Sequence, residues 1–314
     1  MEYLSEEEIR KLVSVKDIVE TIENYYLNDG EKHSLLPERL FIMDDENTAI
    51  MMPSFYENYY GAKVVGIAPG NAKLNEPTLR GLFILYDRQT MNPLITMDAR
   101  TITAMRTGAI SGVGTKYLAQ NNSETVGIIG TGDQGWSHFQ ATCAVRPIKK
   151  VLIYNRSERR LNDFIDKVKE HYPQIEIEVA EPGQLVEESD VICLTTTSKN
   201  PVIPELDDLK NKDLSHKHFS GSGAFKADMQ EIPTSIIKKA DYISVDSHDA
   251  FSECGEMSEA RNLGYSEDNV PDLKQIVKNG ASKETQVQTT IFKSVGISIF
   301  DTLAAILVYE KLNK

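Results

Sequence analysis

Residues 124–135 read Glu-Thr-Val-Gly-Ile-Ile-Gly-Thr-Gly-Asp-Gln-Gly, a short apolar strand followed at once by the pattern G-x-G-x-x-G. In such a loop Gly130 makes the tight turn and Gly132 lets the backbone approach a phosphate group. Gly135 then lets the following helix pack on the strand, so that a pyrophosphate can lie at the helix N-terminus. The segment predicts a dinucleotide site.

The residues after this loop provide the expected context. Residues 136–145 have a helical pattern, and residues 149–154 form a second apolar strand. An ordinary glycine turn remains the alternative, but a strand–turn–helix–strand unit is what the dinucleotide motif requires.

The end of the second strand bears on the choice of cofactor. An Asp or Glu there would bind the ribose 2′-OH of NAD, whereas this chain has Asn155-Arg156-Ser157, followed by Arg159 and Arg160. Guanidinium groups suit a bidentate phosphate contact. We therefore favour NADP(H) as the cofactor, with NAD(H) possible. The alternative role of the arginines is to form the solvated start of a helix.

The rest of this half alternates strands and helices, which predicts a doubly wound parallel sheet. Further strand candidates are residues 175–179, 191–195, 218–221 and 242–245. We expect a Rossmann dinucleotide-binding domain over residues 121–289.

The first half predicts an α+β domain on a mostly antiparallel sheet. Strand-like runs at 49–52, 62–67 and 82–87 follow two helical segments and precede a helix over about 98–119. The apolar run 291–309 is interpreted as one amphipathic helix that packs on this domain. Residues 1–120 with 290–314 are thus the expected substrate-binding and dimerisation domain.

Charge and cysteine usage exclude several classes of protein. The 314-residue chain has a formal net charge of -13 and 40% hydrophobic residues, which argues against non-specific binding to nucleic acid or to an anionic membrane. A membrane span over 291–309 would bury Lys293 and Asp301. Three widely spaced cysteines and an acidic N-terminal segment suit a cytoplasmic protein with no zinc knuckle or other metal site.

Three cations in the first half lie in settings that favour an anionic partner. Arg106 lies in a helix among Met, Thr, Ala and Gly residues, Lys63 lies within an apolar strand, and Arg39 follows Pro37-Glu38. Breaking a buried pair costs on the order of 3–5 kcal/mol, so Arg106 needs an anion, either in a structural ion pair or from a ligand. Together the three predict a site that orients the carboxylate of a small acid for hydride transfer. Lys63 is the first candidate for proton transfer, because burial can lower the pKa of a lysine toward neutrality.

Short motifs occur in one combination along nearly the whole chain. They are Pro37-Glu38-Arg39, Met52-Pro53, Ala62-Lys63-Val64-Val65, Pro77-Thr78, Met105-Arg106-Thr107-Gly108-Ala109, Gly130-Thr131-Gly132-Asp133-Gln134, Asp228-Met229-Gln230-Glu231 and Lys293-Ser294-Val295-Gly296. In this combination the chain resembles the ornithine cyclodeaminase/mu-crystallin family. The resemblance implies a homodimer that uses NAD(P), with cyclodeaminases, alanine and arginine dehydrogenases and reductases of cyclic imines and ketimines as the known activities.

The resemblance also implies roles for individual residues. Arg39, Lys63 and Arg106 would hold the substrate carboxylate. The residues along the cofactor would be Thr78, Arg106, Gly130, Gly132, Asp133, Gln134, Gly135, Asn155, Arg156, Thr196, Ser222 and Ser294.

Two departures from the family pattern bear on the reaction. Cyclodeaminases proper carry a glutamate and a catalytic aspartate where this chain has Ile50 and Phe225. The chain therefore resembles the reductase-like branch more closely, and Asn155-Arg156 resembles the NADPH-using ketimine reductases.

The leading hypothesis is an NAD(P)H-dependent oxidoreductase acting on the C–N bond of a small α-amino or α-imino acid. One alternative is ornithine cyclodeaminase, which forms proline and ammonia and recycles NAD⁺. Another is a non-catalytic, mu-crystallin-like binding protein for NADP(H) or another ligand, which would have no need of a carboxylate site formed by Arg39, Lys63 and Arg106.

Overall fold

The computed structural model describes residues 2–74, 76–280 and 288–314. The chain divides into two compact units: unit 1 is Met1–Arg106 with Ile297–Lys314, and unit 2 is Thr107–Gly296. No helix within the described residues has the length and apolar content needed to cross a membrane.

Unit 1 is built on a mostly antiparallel sheet that has seven strands among the described residues, in the order β1-β7-β6-β5-β4-β2, with β3 also paired to β4. Its strands are β1 (Glu2–Leu4), β2 (Ser34–Leu35), β3 (Leu40–Asp44), β4 (Asn47–Tyr56), β5 (Tyr59–Ile67), β6 (Leu79–Asp87) and β7 (Pro93–Asp98). Its helices are α1 (Glu6–Leu12), α2 (Val15–Leu27) and α11 (Ser298–Leu312), and short 3-10 helices cover Gly30–His33 and Pro69–Leu74.

Local sequence accounts for the first two helices. Ser5 with Glu8, and Ser14 with Asp17, form capping boxes that satisfy free amides at the two helix starts. The apolar residues of α2 recur at helical spacing and are buried. Helix α11 packs on α2 and on strands β4, β5 and β6, so one face of the sheet is covered.

Alternation along the strands gives this sheet two different faces. Lys63 in β5 lies opposite Met52 in β4 and Phe83 in β6, and all three are buried. The adjacent Val64 points to the other face and is 40% exposed. An inward position in a strand covered by a helix therefore carries a charged lysine.

Unit 2 contains a parallel sheet with seven strands among the described residues, in the order β10-β9-β8-β11-β12-β14-β13. The strands are β8 (Thr125–Ile129), β9 (Lys150–Tyr154), β10 (Glu176–Val179), β11 (Val191–Leu194), β12 (His218–Gly221), β13 (Tyr242–Val245) and β14 (Thr290–Lys293). The helices are α4 (Asp133–Val145), α5 (Glu158–His171), α6 (Pro182–Glu188), α7 (Thr234–Lys239), α8 (Ala250–Glu253), α9 (Gly255–Asn262) and α10 (Leu273–Asn279), with a 3-10 helix at Leu206–Asp208.

Both faces of this sheet are covered by apolar clusters. Ile128 and Ile129 follow each other in β8 and enter different clusters, as do Val191 and Ile192 in β11. A strand buried on both faces has a continuous apolar sequence, which is why these strands could be predicted. The predicted α/β class, with a doubly wound sheet and an α+β domain, is confirmed.

The prediction of one helix over 291–309 is wrong for its first part. Thr290–Lys293 is strand β14 between β12 and β13, and α11 begins only at Ser298. Gly296 has φ +78°, and Asp246 accepts hydrogen bonds from the backbone N–H groups of Val295 and Gly296. This segment separates the strand from the helix.

The unit boundaries also differ from the expected ones at 120/121 and 289/290. Helix α3 (Ala99–Leu118) is divided at residue 106. Its second part packs within unit 2, where a Cβ atom on Gly108 would lie 2.5 Å from the carbonyl carbon of Ser137, and one on Gly114 would lie 2.7 Å from the Phe292 ring. Close packing against α4 and β14 assigns these turns to unit 2.

Candidate functional site

The glycine loop of unit 2 connects β8 to α4. Gly130 has φ +97°, in the left-handed region that favours glycine. A Cβ atom on Gly135 would lie 2.0 Å from the Gly130 carbonyl oxygen, so a side chain there is excluded. Both glycines are required by the tight strand-to-helix turn.

The middle of this loop can accommodate an anionic group. A Cβ atom on Gly132 would meet nothing within 4 Å, so the space next to its backbone is open. The buried Thr131 hydroxyl has no hydrogen-bond partner among the described residues, and Asp133 and Gln134 form the first turn of α4. An open backbone at a helix N-terminus with a free hydroxyl beside it fits a phosphate group.

The next strand end supplies a neutral side chain. Asn155 directly follows β9; its Oδ1 lies 3.5 Å from the Thr131 backbone nitrogen, and its Nδ2 donates to the Ser157 carbonyl at 3.0 Å. Arg156 and Arg159 are exposed. This edge of the sheet therefore has no acidic side chain at the position after β9.

Glu231 connects two loops at the carboxyl ends of β11 and β12. Its fully buried carboxylate accepts hydrogen bonds from the backbone N–H groups of Thr196 at 2.6 Å, Gly223 at 2.7 Å and Ala224 at 3.2 Å. Burial raises its pKa, with the nearby Lys293 opposing and Glu256 reinforcing the rise. One side chain thus fixes the loops that carry Thr196 and Ser222.

A buried ion pair lies behind these loops. Lys293 Nζ is 3.7 Å from Glu256 Oε2, and neither side chain is more than 2% exposed. Burial would lower the pKa of Lys293, but Glu256 and the other nearby acidic groups outweigh it and raise the pKa above its usual value. Glu256 in turn accepts the backbone N–H of Glu231 at 2.6 Å, which links the pair to the loops.

Ser294 lies in the segment after β14. Its hydroxyl donates to Asp246 Oδ2 at 2.7 Å, and both residues are buried. The hydroxyl proton is therefore used within the protein, and the oxygen is left to act as an acceptor.

In unit 1, two of the predicted cations share one buried carboxylate. Asp301 Oδ2 accepts from Lys63 Nζ at 2.8 Å, and Asp301 Oδ1 accepts from Arg106 Nε at 3.0 Å. Lys63 and Arg106 are 3% and 5% exposed, so the cluster is almost closed to solvent. Among these three groups one positive charge remains uncompensated.

Burial and charge set the protonation of this cluster. The pKa of Lys63 is lowered to about 8, mainly by burial; Arg106 and Arg39 also lower it, and Asp301 opposes them. Burial alone would raise the pKa of Asp301, but Arg106 and Lys63 outweigh it and hold the pKa below its usual value. Asp301 is thus ionised, and Lys63 loses its proton near pH 8.

The other two predicted residues of unit 1 are less enclosed. Arg39 is half-buried, with its guanidinium 5.9 Å from the Phe41 ring centre. Thr78 is exposed, and its carbonyl accepts the Ala68 N–H at 2.8 Å. Arg39 acts on the Lys63 cluster through its charge. Among the described residues, Thr78 has no hydrogen bond to that cluster.

Four residues of these sites were missed from sequence: Thr131, His138, Glu231 and Asp301. Asp301 had a usable signal, because it is the sole acidic residue in the apolar run 291–309 and the buried cations needed an acid. His138 and Glu231 are joined to their partners only by the fold, since His138 Nε2 meets the Ser222 hydroxyl 84 residues away.

The two positions that depart from the family pattern have no carboxylate to offer. Ile50 lies in β4, paired with Phe41 and Val65. Phe225 is 38% exposed, and Lys226 Nζ lies 5.9 Å from its ring centre. Neither can act as a base.

Fold and site together define a nucleotide-binding α/β protein whose other unit holds a buried cationic cluster. The profile of the ornithine cyclodeaminase/mu-crystallin family matches residues 2–314. The chain belongs to this family.

Named relatives and solved structures cover nearly the whole chain. It is 34% identical to a Delta(1)-pyrroline-2-carboxylate reductase of Bacillus cereus over 98% of this chain and 95% of the relative, and 29% identical to an alanine dehydrogenase of Archaeoglobus fulgidus over 98% and 94%. The Thermococcus litoralis Delta(1)-pyrroline-2-carboxylate reductase, solved with NADH and L-proline, has a TM-score of 0.90 at 31% identity and covers 100% of this chain and 98% of its own. An archaeal alanine dehydrogenase dimer with bound NAD has a TM-score of 0.88 at 28% identity, covering 100% and 96%.

Proposed function

We propose that this protein is an NAD(P)H-dependent reductase of a small cyclic α-imino acid of the Delta(1)-pyrroline-2-carboxylate type. The observation that carries the proposal is the Lys63–Asp301–Arg106 cluster, in which two cations share one carboxylate. A guanidinium has five N–H donors, and Asp301 takes the one on Nε. The terminal nitrogens of Arg106 retain donors for a second carboxylate, that of the substrate.

The reaction divides between the two kinds of site. NAD(P)H, when bound, would supply a hydride from nicotinamide C4 for the imine carbon. Arg106, with the charge of Arg39 nearby, holds the substrate carboxylate. Lys63 donates a proton from Nζ to the imine nitrogen as the C=N electron pair becomes the N–H bond, which gives the cyclic amine and a neutral lysine. A lysine pKa of about 8 suits a general acid near neutral pH.

The dinucleotide would bind at the carboxyl edge of the parallel sheet. The open space at Gly132 and the unpartnered Thr131 hydroxyl fit a pyrophosphate, and Asp133 and Gln134 lie at the helix N-terminus beside it. Thr196, Ser222 and Ser294 would line the nicotinamide side of the same edge. NADP(H) is favoured over NAD(H), because a neutral Asn155 does not repel a 2′-phosphate and exposed Arg156 can bind it.

A second copy of this chain is the proposed partner in a homodimer. Leu40, Met51, Val64 and Leu82 occupy paired positions on one face of β3 to β6, and each is at least 40% exposed. The same face continues through the stacked rings of Phe55, Tyr60 and Tyr86. A contiguous exposed apolar face of this kind marks an interaction surface, and the dimeric alanine dehydrogenase supports a second copy as its occupant.

The proposal is tested by following NADPH and NADH oxidation with purified protein. The substrates are a panel of cyclic imino acids and pyruvate with ammonia, with L-ornithine assayed separately for proline. We expect oxidation with a cyclic imino acid and no proline from ornithine. Proline and ammonia formed from ornithine without net change in the cofactor would identify a cyclodeaminase instead.

A further inference from the structure

His138 makes two hydrogen bonds from the interior of α4. Its Nδ1 lies 2.7 Å from the Gln134 carbonyl oxygen, and its Nε2 lies 3.0 Å from the Ser222 hydroxyl. The imidazole is fully buried. It therefore connects the helix of the glycine loop to the loop that follows β12.

These two contacts fix the tautomer of the ring. A carbonyl oxygen can only accept, so Nδ1 must carry the hydrogen. Burial lowers the pKa of His138 to about 4, and the ring is neutral at ordinary pH. Nε2 then has a lone pair, and it accepts the hydrogen of the Ser222 hydroxyl. The Ser222 oxygen is left as an acceptor alone.

The sheet order indicates which part of a dinucleotide would reach Ser222. The order β9-β8-β11-β12 places Asn155 at one end, the glycine loop next to it, and Ser222 two strands beyond β8. A dinucleotide bound along the carboxyl edge has its pyrophosphate at the glycine loop and its two nucleosides on either side. With the adenosine ribose at Asn155, the nicotinamide falls on the side of Ser222.

We propose that His138 is a positioning residue that makes Ser222 an obligatory acceptor, so that this position selects the N–H donor of the nicotinamide carboxamide. The inference rests on the proposed dinucleotide site and adds a chemical requirement to it. A ring substituent with a carbonyl but no N–H, such as the acetyl group of 3-acetylpyridine adenine dinucleotide, leaves the Ser222 acceptor unpaired.

The test compares binding of the nicotinamide and 3-acetylpyridine dinucleotides by titration calorimetry, with the adenosine half kept the same. One lost hydrogen bond corresponds to roughly a tenfold loss of affinity, and we expect that preference for nicotinamide in the wild-type protein. Ser222→Ala and His138→Leu should reduce the preference to about twofold or less. Thr142→Val is the matched control, since its buried hydroxyl donates to the His138 carbonyl one turn along the same helix, and it should retain the wild-type preference.

A second measurement needs no variant. A ¹⁵N–¹H correlation spectrum of histidine-labelled protein should show a buried ring protonated on Nδ1, and Nε2 protonation of His138 would overturn the inference. Equal affinity of the wild-type protein for the two dinucleotides would also overturn the inference. The same holds if His138→Leu keeps the full preference for the nicotinamide dinucleotide while Ser222→Ala loses it. Neither result would contradict the proposed dinucleotide site. Failure of the wild-type protein to bind either dinucleotide would overturn the proposed function and this inference together.

Discussion

Lys63 and Asp301 are joined by a 2.8 Å hydrogen bond across 238 residues of sequence. Strand β5 supplies the ammonium and helix α11 supplies the carboxylate, and their side chains are 4% and 1% exposed. The bond makes the C-terminal helix part of the cationic cluster. Because Asp301 also binds Arg106, it holds both cations in one place.

Asp301→Asn should lower the free energy of unfolding by about 3–5 kcal/mol, because it leaves two buried cations without an anion. Urea denaturation measures the change. The double variant Asp301→Asn/Lys63→Met should lose less free energy of unfolding than the two single variants lose in sum, because the pair acts as a unit. Glu310→Gln, an exposed carboxylate of the same helix, is the control and should change stability by less than about 0.5 kcal/mol.

The same pair predicts a dependence of stability on pH. The pKa of Asp301 is held below its usual value of about 3.9. The stability that the ionised Asp301 contributes is therefore complete above that value, and it is lost as the pH falls through the pKa of the folded state. The difference in stability between the wild type and Asp301→Asn should therefore shrink in acid. A difference that grows as the pH falls would contradict the assignment.

Lys63 as the proton donor predicts a limb in the pH–rate profile. The ammonium is present below a pKa of about 8, so kcat/KM for imine reduction should fall as the pH rises through that value. Lys63→Arg keeps the charge and cannot release its proton in this range, so it should lower the rate and abolish the limb. A limb that persists in Lys63→Arg would belong to the substrate or to another group.

The choice of cofactor should depend on Arg156 and Asn155. Arg156→Ala should raise the KM for NADPH roughly tenfold, the effect of one charge-assisted contact, and leave that for NADH within about twofold. Asn155→Asp should shift the preference to NADH by repelling the 2′-phosphate. Lys169→Ala removes an exposed charge from the last turn of α5, the helix that follows Arg156. An equal rise in the KM for NADPH in that variant would indicate a non-specific effect of charge.

A charge on the apolar face should dissociate the proposed dimer. Val64→Glu places a carboxylate in the middle of that face, and sedimentation should show a monomer where the wild type is a dimer. Leu27→Glu changes a residue that is also exposed, at 53%, but at the end of α2, and it should remain dimeric. A wild-type monomer at micromolar concentration would remove the basis of this proposal.

Local signals in the sequence predict much of unit 2. The glycine loop follows from its motif, and strand β9 follows from a short apolar run that is buried in the sheet. Strands β12 and β13 lie where the sequence predicts them. Strand β14 was missed, since its four residues become a strand only through pairing with β12 and β13. An apolar run that continues into a helix gives no local mark of that change.

The residues of the candidate sites also differ in how far the sequence alone predicts them. Lys63 and Arg106 could be selected as charges in apolar surroundings, and they are buried. Their partner Asp301 depends on how α11 packs on β5, which neither segment encodes alone. The three backbone contacts of Glu231 likewise exist only once β11 and β12 are adjacent.

The proposed function depends on hydride transfer to the carbon of a cyclic imino acid. It is tested most directly by incubating purified protein with Delta(1)-pyrroline-2-carboxylate and cofactor deuterated at nicotinamide C4, in separate 4R and 4S forms, and analysing the proline by mass spectrometry. We expect proline with one deuterium at Cα from one of the two forms and proline without deuterium from the other. Unlabelled proline from both forms, or no turnover with either cofactor, would contradict it.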